Sequence, residues 1–187
     1  MGNPDGARKK KRRKRSGGEA AASFDRDVFP ILLAAVAPAT GPNQRASSAA
    51  TAARLLRRLL PRSPPLSPLP GPLVALLPLL LTSSSHSVAA LSCEVMGAAA
   101  LQSMEAGEAL ASDGGIASGL ARALGSGSQR VAEAACNAVM DLSASSIGRE
   151  HLSGSPVLPR LLWNLFLGLS VAGAPGAKQG FQSQVNV

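Results

Sequence analysis

Aromatic side chains are scarce in this sequence. Tyrosine is absent, and aromatic residues make up only 3% of the chain. A surface that stacks nucleic-acid bases needs aromatic rings among its basic residues, so no such surface is predicted. Hydrophobic residues nevertheless reach 45%, and a core built from Ala, Leu and Val suits closely stacked helices.

Cysteine and histidine are also rare, with two of each. Two cysteines are too few for a disulfide framework. We predict that Cys93 and Cys136 are buried core residues, which fits a reducing compartment. His86 and His151 have no cysteine or carboxylate neighbours at metal-ligand spacing. We therefore expect no catalytic residues, no cofactor, no metal and no small-molecule substrate.

A long apolar run is missing as well. The apolar centre of the longest uncharged stretch is Leu69–Leu81, which is only 13 residues long and contains three prolines. A membrane-spanning helix needs about 20 apolar residues, so no transmembrane segment is predicted. No clean apolar segment follows the basic N-terminal region, so a secretory signal is not expected either.

Positive charge is concentrated in one short segment. The chain has 19 Lys and Arg against 11 Asp and Glu, and eight of the basic residues are consecutive. This basic run consists of Arg8, Lys9, Lys10, Lys11, Arg12, Arg13, Lys14 and Arg15. Residues 1–22 are predicted to form a disordered basic tail, because they combine like charges with nothing to bury.

The basic run resembles a monopartite nuclear localisation signal. The resemblance implies binding to an importin-type receptor and location in the nucleus, with the cytoplasm as the alternative. Such a run also attracts nucleic acid or anionic lipid, weakly and without specificity. A binder of nucleic acid or membrane surfaces acting through the tail therefore remains a further alternative.

One segment of the chain occurs twice. Gly71–Met96 aligns without a gap onto Gly114–Val139 at an offset of 43 residues, with eight identities. The identical pairs include Leu77 with Leu120 and Cys93 with Cys136. Repeats of roughly 40 to 47 residues are typical of all-helical solenoids.

Apolar spacing predicts where the helices lie within each repeat. Positions i, i+4, i+7 and i+8 are apolar in Ile116–Leu124 and again in Ser128–Ser143, so both are predicted helices, the second with Ser128 as N-cap. A short helix is predicted before them over Glu108–Gly114. Arg149–Gly154 and Val157–Phe166 begin the next unit in the same order.

These segments resemble the armadillo repeat family, whose unit is a short helix, a Leu-rich helix and a longer Ala-rich helix. The style is closest to plant armadillo proteins, although no U-box is visible. The resemblance implies an all-α, right-handed helical solenoid that serves as a non-enzymatic scaffold for a protein partner. The alternatives are a cytoplasmic or ubiquitin-ligase-associated adaptor, and a truncated form of a longer array.

The resemblance also implies a groove along the third helices. Peptide-binding armadillo proteins present a Trp there and, four residues later, an Asn. Asn137 and Asp141 occupy these places in one repeat, and Glu94 and Ala98 occupy them in the other. Recognition of extended nuclear-import peptides is therefore not expected. Glu94, Asn137 and Asp141 would line a groove whose acidic character favours a basic partner segment.

The domain organisation follows from these patterns. Residues 23–62 are predicted to form a degenerate N-terminal helical pair, with helices over Val28–Val36 and Ser47–Leu60. Residues 63–72 are a Pro-rich linker, 73–169 hold about two and a half armadillo repeats, and 170–187 form a disordered tail. No Ala-rich helix follows the last unit, so we expect its apolar residues to lack a covering layer. They are Leu161, Leu162, Trp163, Leu165 and Phe166.

Overall fold

The structure is a computed structural model that describes residues 29–36, 42–60 and 71–172. Every element in these ranges is a helix, which confirms the all-α class. The helices are α1 (Phe29–Val36), α2 (Pro42–Leu59), α3 (Gly71–Leu81), α4 (His86–Gln102), α5 (Met104–Ser112), α6 (Gly114–Leu124), α7 (Gln129–Leu142), α8 (Ser146–Ser153) and α9 (Val157–Ala172). The predicted basic tail, residues 63–70 of the predicted linker and residues 173–187 lie outside the described part.

The N-terminal pair agrees with its predicted position except at one boundary. Helix α2 begins at Pro42, five residues before the predicted start. Proline is tolerated in the first turn of a helix because the amide hydrogen it lacks would have no intrahelical partner there.

Serine caps set the starts of the two short helices. The Ser103 hydroxyl accepts a hydrogen bond from the Ala106 amide at 3.3 Å, and the Ser145 hydroxyl accepts one from the Gly148 amide at 2.9 Å. These caps lie 42 residues apart. They start α5 four residues, and α8 three residues, before the predicted positions, because a capping hydroxyl satisfies an otherwise unpaired amide of the first turn.

The long helices α4 and α7 also begin in the same way. The Ser85 and Ser128 amides each donate a 3.2 Å hydrogen bond to the hydroxyl two residues earlier, on Ser83 and Ser126 respectively. The backbone angles agree, with φ and ψ of −85° and 108° at Ser85 and −93° and 115° at Ser128. Ser128 therefore occupies the predicted cap position, but its hydroxyl makes no capping bond. The twin segments share their local conformation.

Equivalent helices of consecutive segments contact each other. Helix α3 packs on α1 and α6, and α6 packs on α9. Helix α4 packs on α2 and, most extensively, on α7, while α5 packs on α8. Helix α4 has neighbours on most sides, and ten of its 17 residues are buried.

Small residues allow these helices to approach closely. A β-carbon at Gly119 of α6 would lie 2.8 Å from Leu81 Cδ1 and 3.5 Å from the Pro78 carbonyl oxygen of α3. A β-carbon at Gly107 of α5 would lie 3.1 Å from the Ala100 β-carbon of α4. A β-carbon at either position would lie closer to its neighbour than ordinary van der Waals contact, so a larger residue would require the packed side chains to shift.

We expect Gly119→Val to lower the free energy of unfolding by about 2 kcal/mol, because the valine would overpack the contact between α6 and α3. The matched control is Gly114→Val in the same helix, where a β-carbon would meet nothing within 4 Å. The control should change stability by less than about 0.5 kcal/mol. Urea denaturation followed by circular dichroism measures both. Equal effects would contradict a close contact at Gly119.

Candidate protein-binding surface

The three predicted groove residues lie on α4 and α7, which pack against each other more extensively than any other pair of described helices. Asn137 is exposed on α7, and Asp141 follows it by one turn and is half-buried. Glu94 is half-buried on α4, the helix against which α7 packs. Residues four apart share a helix face, so the side chains of Asn137 and Asp141 lie on the same face of α7.

The Asp141 carboxylate reaches across the contact to α4. A β-carbon at Gly97 would lie only 2.5 Å from Asp141 Oδ2, and 3.6 Å from the Cα atom of Ala138. The missing side chain at Gly97 therefore leaves the space that the carboxylate occupies. Because Gly97 lies three residues after Glu94, the Asp141 carboxylate rests about one turn along α4 from the Glu94 side chain.

Three exposed apolar side chains near the end of this surface were not predicted. Leu101 is 71% exposed, and Met104 and Met140 are each 69% exposed. Leu101, Met104 and Asp141 line a cavity of about 220 Å³ between the ends of α4 and α7 and the starts of α5 and α8. The walls of this cavity are mainly apolar, and Asp141 provides its one carboxylate.

The helical spacing contains a signal for Met140. The buried face of α7 includes Val131, Ala135, Val139 and Leu142, and Met140 falls outside that face. A large apolar residue on the polar side of an amphipathic helix indicates a contact surface. Helical spacing identifies only the buried face of α7, and the armadillo resemblance points to Asn137 and Asp141, so Met140 was not predicted.

The described ranges were compared with the requirements of a metal site and of a membrane span. They contain no group of three or more His, Cys, Asp or Glu side chains that could hold a metal ion. His86 and His151 are both exposed. Within the same ranges, no helix combines the length and hydrophobicity required to cross a bilayer.

Comparison with known proteins gives no match. No protein-family model, no curated protein and no solved structure is similar to this chain at a significant level. The basic run at residues 8–15 lies outside the described residues. The armadillo resemblance, the groove and the nuclear signal therefore remain predictions.

The two cysteines differ in burial. Cys93 is fully buried in α4 as predicted, whereas Cys136 in α7 is half-buried, so the prediction was wrong for the second residue. Burial raises the pKa of the Cys93 thiol from 9.0 to about 12, and the Glu94 carboxylate adds to the shift. Burial also raises the pKa of the Cys136 thiol, with Glu133 contributing.

We expect one thiol of the native protein to react with a disulfide reagent at pH 8, and both to react after denaturation. Cys136 is half-buried with a raised pKa, so its thiol should react slowly, whereas Cys93 is enclosed and its pKa of about 12 keeps it protonated at pH 8. Absorbance of the released thiolate gives the count. The control is Cys136→Ser, whose native form should not react on the same timescale. Rapid reaction of Cys93 in that variant would contradict the packing of α4.

Proposed function

We propose that this chain is a non-enzymatic protein-binding scaffold of the armadillo type. In this proposal, its helices continue as a right-handed solenoid, and the surface of α4 and α7 binds a protein segment. The supporting observation is that this surface combines carboxylates at Glu94 and Asp141 with exposed apolar groups at Leu101, Met104 and Met140.

The contacts between equivalent helices support the solenoid. The two long helices α4 and α7 occupy the third place of consecutive segments and pack on each other. Helices α3, α6 and α9 occupy the second place, and α6 packs on both α3 and α9. Repeat proteins of this kind bury a continuous core between neighbours and present a long ridged surface. A function in protein binding follows from that architecture by analogy alone.

The chemistry of the surface favours a segment with alternating basic and apolar residues. Carboxylates accept charge-assisted hydrogen bonds from Arg or Lys, which are about twice as strong as neutral ones. Methionine side chains are flexible and polarisable, so Met104 and Met140 can adapt to apolar side chains of different shape. The side-chain amide of Asn137, on the same helix as Asp141 and Met140, can both donate and accept hydrogen bonds.

The basic run adds a proposed location. A block of eight basic residues supports recognition by an importin-type receptor and accumulation in the nucleus. Two alternatives remain: an adaptor in the cytoplasm or next to a ubiquitin ligase, and a shortened form of a longer repeat protein. The basic run would have no role in targeting in the first of these.

A fluorescent peptide of alternating Arg and Leu should bind a chain in which residues 8–15 are replaced by Gln, whereas a matched Glu and Leu peptide should not. We expect the double variant Glu94→Gln, Asp141→Asn to raise the dissociation constant about tenfold, because two charge-assisted contacts are lost. Fluorescence anisotropy measures both peptides. Glu150→Gln, an exposed carboxylate on α8, is the control and should leave binding unchanged. Equal loss in both variants would indicate non-specific attraction.

Replacing residues 10–13 with Gln in a fluorescent fusion of the full chain should abolish nuclear accumulation, because the receptor reads the contiguous charge. The nuclear-to-cytoplasmic intensity ratio in cells is the measurement. Arg57→Gln with Arg58→Gln removes two exposed arginines of α2 and is the control. Unchanged nuclear accumulation in the first variant would contradict the proposed signal and favour the cytoplasmic alternative.

A further inference from the structure

The loop between α3 and α4, residues 82–85, contains a hydroxyl that its turn does not use. The Ser83 hydroxyl accepts the amide hydrogen of Ser85 at 3.2 Å, and the same bond forms in the twin loop between α6 and α7. Ser84 takes no part in that bond, and its side chain is exposed. At the offset of 43 residues, Gly127 stands in its place. The shared turn therefore does not require a hydroxyl at position 84.

Ser84 borders two cavities. One has a volume of about 610 Å³ and lies between α2 and this loop, where Arg54 and Arg57 line it. The other has a volume of about 360 Å³ and lies between this loop and the twin loop, where His86 and Arg122 line it. Among the described residues, no carboxylate lines either cavity. Ser84 therefore lies where two cavities with basic linings meet.

The three arginines of these cavities can bind an added anion. Within the described ranges, none of them forms an ion pair with a carboxylate. Arg54 donates a 3.2 Å hydrogen bond to the Thr51 hydroxyl of its own helix, which leaves its charge uncompensated. All three side chains are exposed, so they can change rotamer freely. A guanidinium group binds a phosphate through two parallel N–H donors.

We propose that Ser84 is a phosphorylation site and that its phosphate is held by Arg54 and Arg57 of α2 and by Arg122 of α6. A protein kinase would supply the phosphoryl group from a nucleoside triphosphate. The Ser84 oxygen bonds to the terminal phosphorus while the bond from that phosphorus to the bridging oxygen breaks. The hydroxyl proton passes to a base of the kinase, and the nucleoside diphosphate leaves. The attached phosphate carries a charge of about −2 at neutral pH.

The phosphate would connect three parts of the described structure. Helix α2 packs on α4, and α6 packs on α3, whereas Ser84 belongs to the loop that joins α3 to α4. A phosphate that faces arginines forms charge-assisted hydrogen bonds and orders the segments that carry them. Because these arginines are exposed, each bond is screened by water and salt, and only their sum is expected to be measurable. The modification therefore fixes α2 more firmly to α4.

Hydrogen exchange of the full chain with phosphoserine in place of Ser84 tests the clamp. We expect the α2 amides to exchange about tenfold more slowly than in the unmodified chain, because two or three screened ion pairs oppose the undocking of α2. Arg54→Gln with Arg57→Gln should remove this slowing, and about 1 M salt should reduce it. Both arginines are exposed, so circular dichroism should show unchanged helix content in the unmodified variant.

The matched control is Gly127→Ser with a phosphate on the new hydroxyl. A β-carbon at Gly127 would meet nothing within 4 Å, and Gly127 borders neither cavity. This phosphate precedes α7 as the one on Ser84 precedes α4, so the control accounts for attraction to a helix N-terminus. It should leave the exchange of α2 unchanged. Equal slowing by either phosphate, or slowing that survives the loss of Arg54 and Arg57, would overturn the clamp.

Peptide mass spectrometry tests the modification itself. The full chain is recovered, with phosphatases inhibited, from the cells that express the fluorescent fusion. We expect phosphate on Ser84 and its loss in Ser84→Ala, which leaves the neighbouring Ser83 and Ser85 in place to assign the signal. Phosphate confined to those neighbours, or a chain without phosphate in this loop, would overturn the proposal whatever the exchange rates show.

Discussion

The close approach of α4 and α7 is the constraint on which the described structure depends. Gly97 and Ala138 bring the two backbones together, and both helices bury several alanines beside larger apolar residues. A sequence without tyrosine and with few other aromatics can achieve dense packing in this way, because small side chains interdigitate at short distances between helix axes. The same contact fixes where Glu94 and Asp141 lie relative to each other. The contact between α4 and α7 therefore determines both how these helices pack and how the two carboxylates are spaced.

Much of the helical order could be predicted from the sequence, because the 43-residue repeat and the apolar spacing both depend on local periodicity. The helices around Ile116 and Val131 were predicted within two residues of their observed bounds. The starts of α5 and α8 were missed because Ser103 and Ser145 act through single capping bonds, which hydrophobic spacing does not register. Periodicity is a property of many residues, whereas a boundary depends on one or two.

The candidate surface was predictable only in part. Glu94, Asn137 and Asp141 were named from the positions that the armadillo resemblance implies, and their role as a groove stays a prediction. The cavity beside Asp141 depends on where four helix ends meet, and no periodic pattern specifies that junction. The half-buried state of Cys136 has a similar cause, since burial at that position depends on what covers α7 from outside the repeat. Contacts between residues that are distant in sequence therefore determine the cavity and the burial of Cys136, which helical spacing does not specify.

The one-sided attachment of α9 has a consequence for how the molecule opens. In a linear series of repeats, each unit is stabilised by its neighbours, and a terminal unit has fewer of them. Among the described helices, α9 contacts only α6 and α8 extensively, whereas α4 packs against the four helices α2, α3, α5 and α7. Amide hydrogens of α9 should therefore exchange with solvent through local fraying, well before those of α4 do so through global unfolding. Among the described helices, α9 is then the one expected to fray locally and reversibly while α4 stays folded.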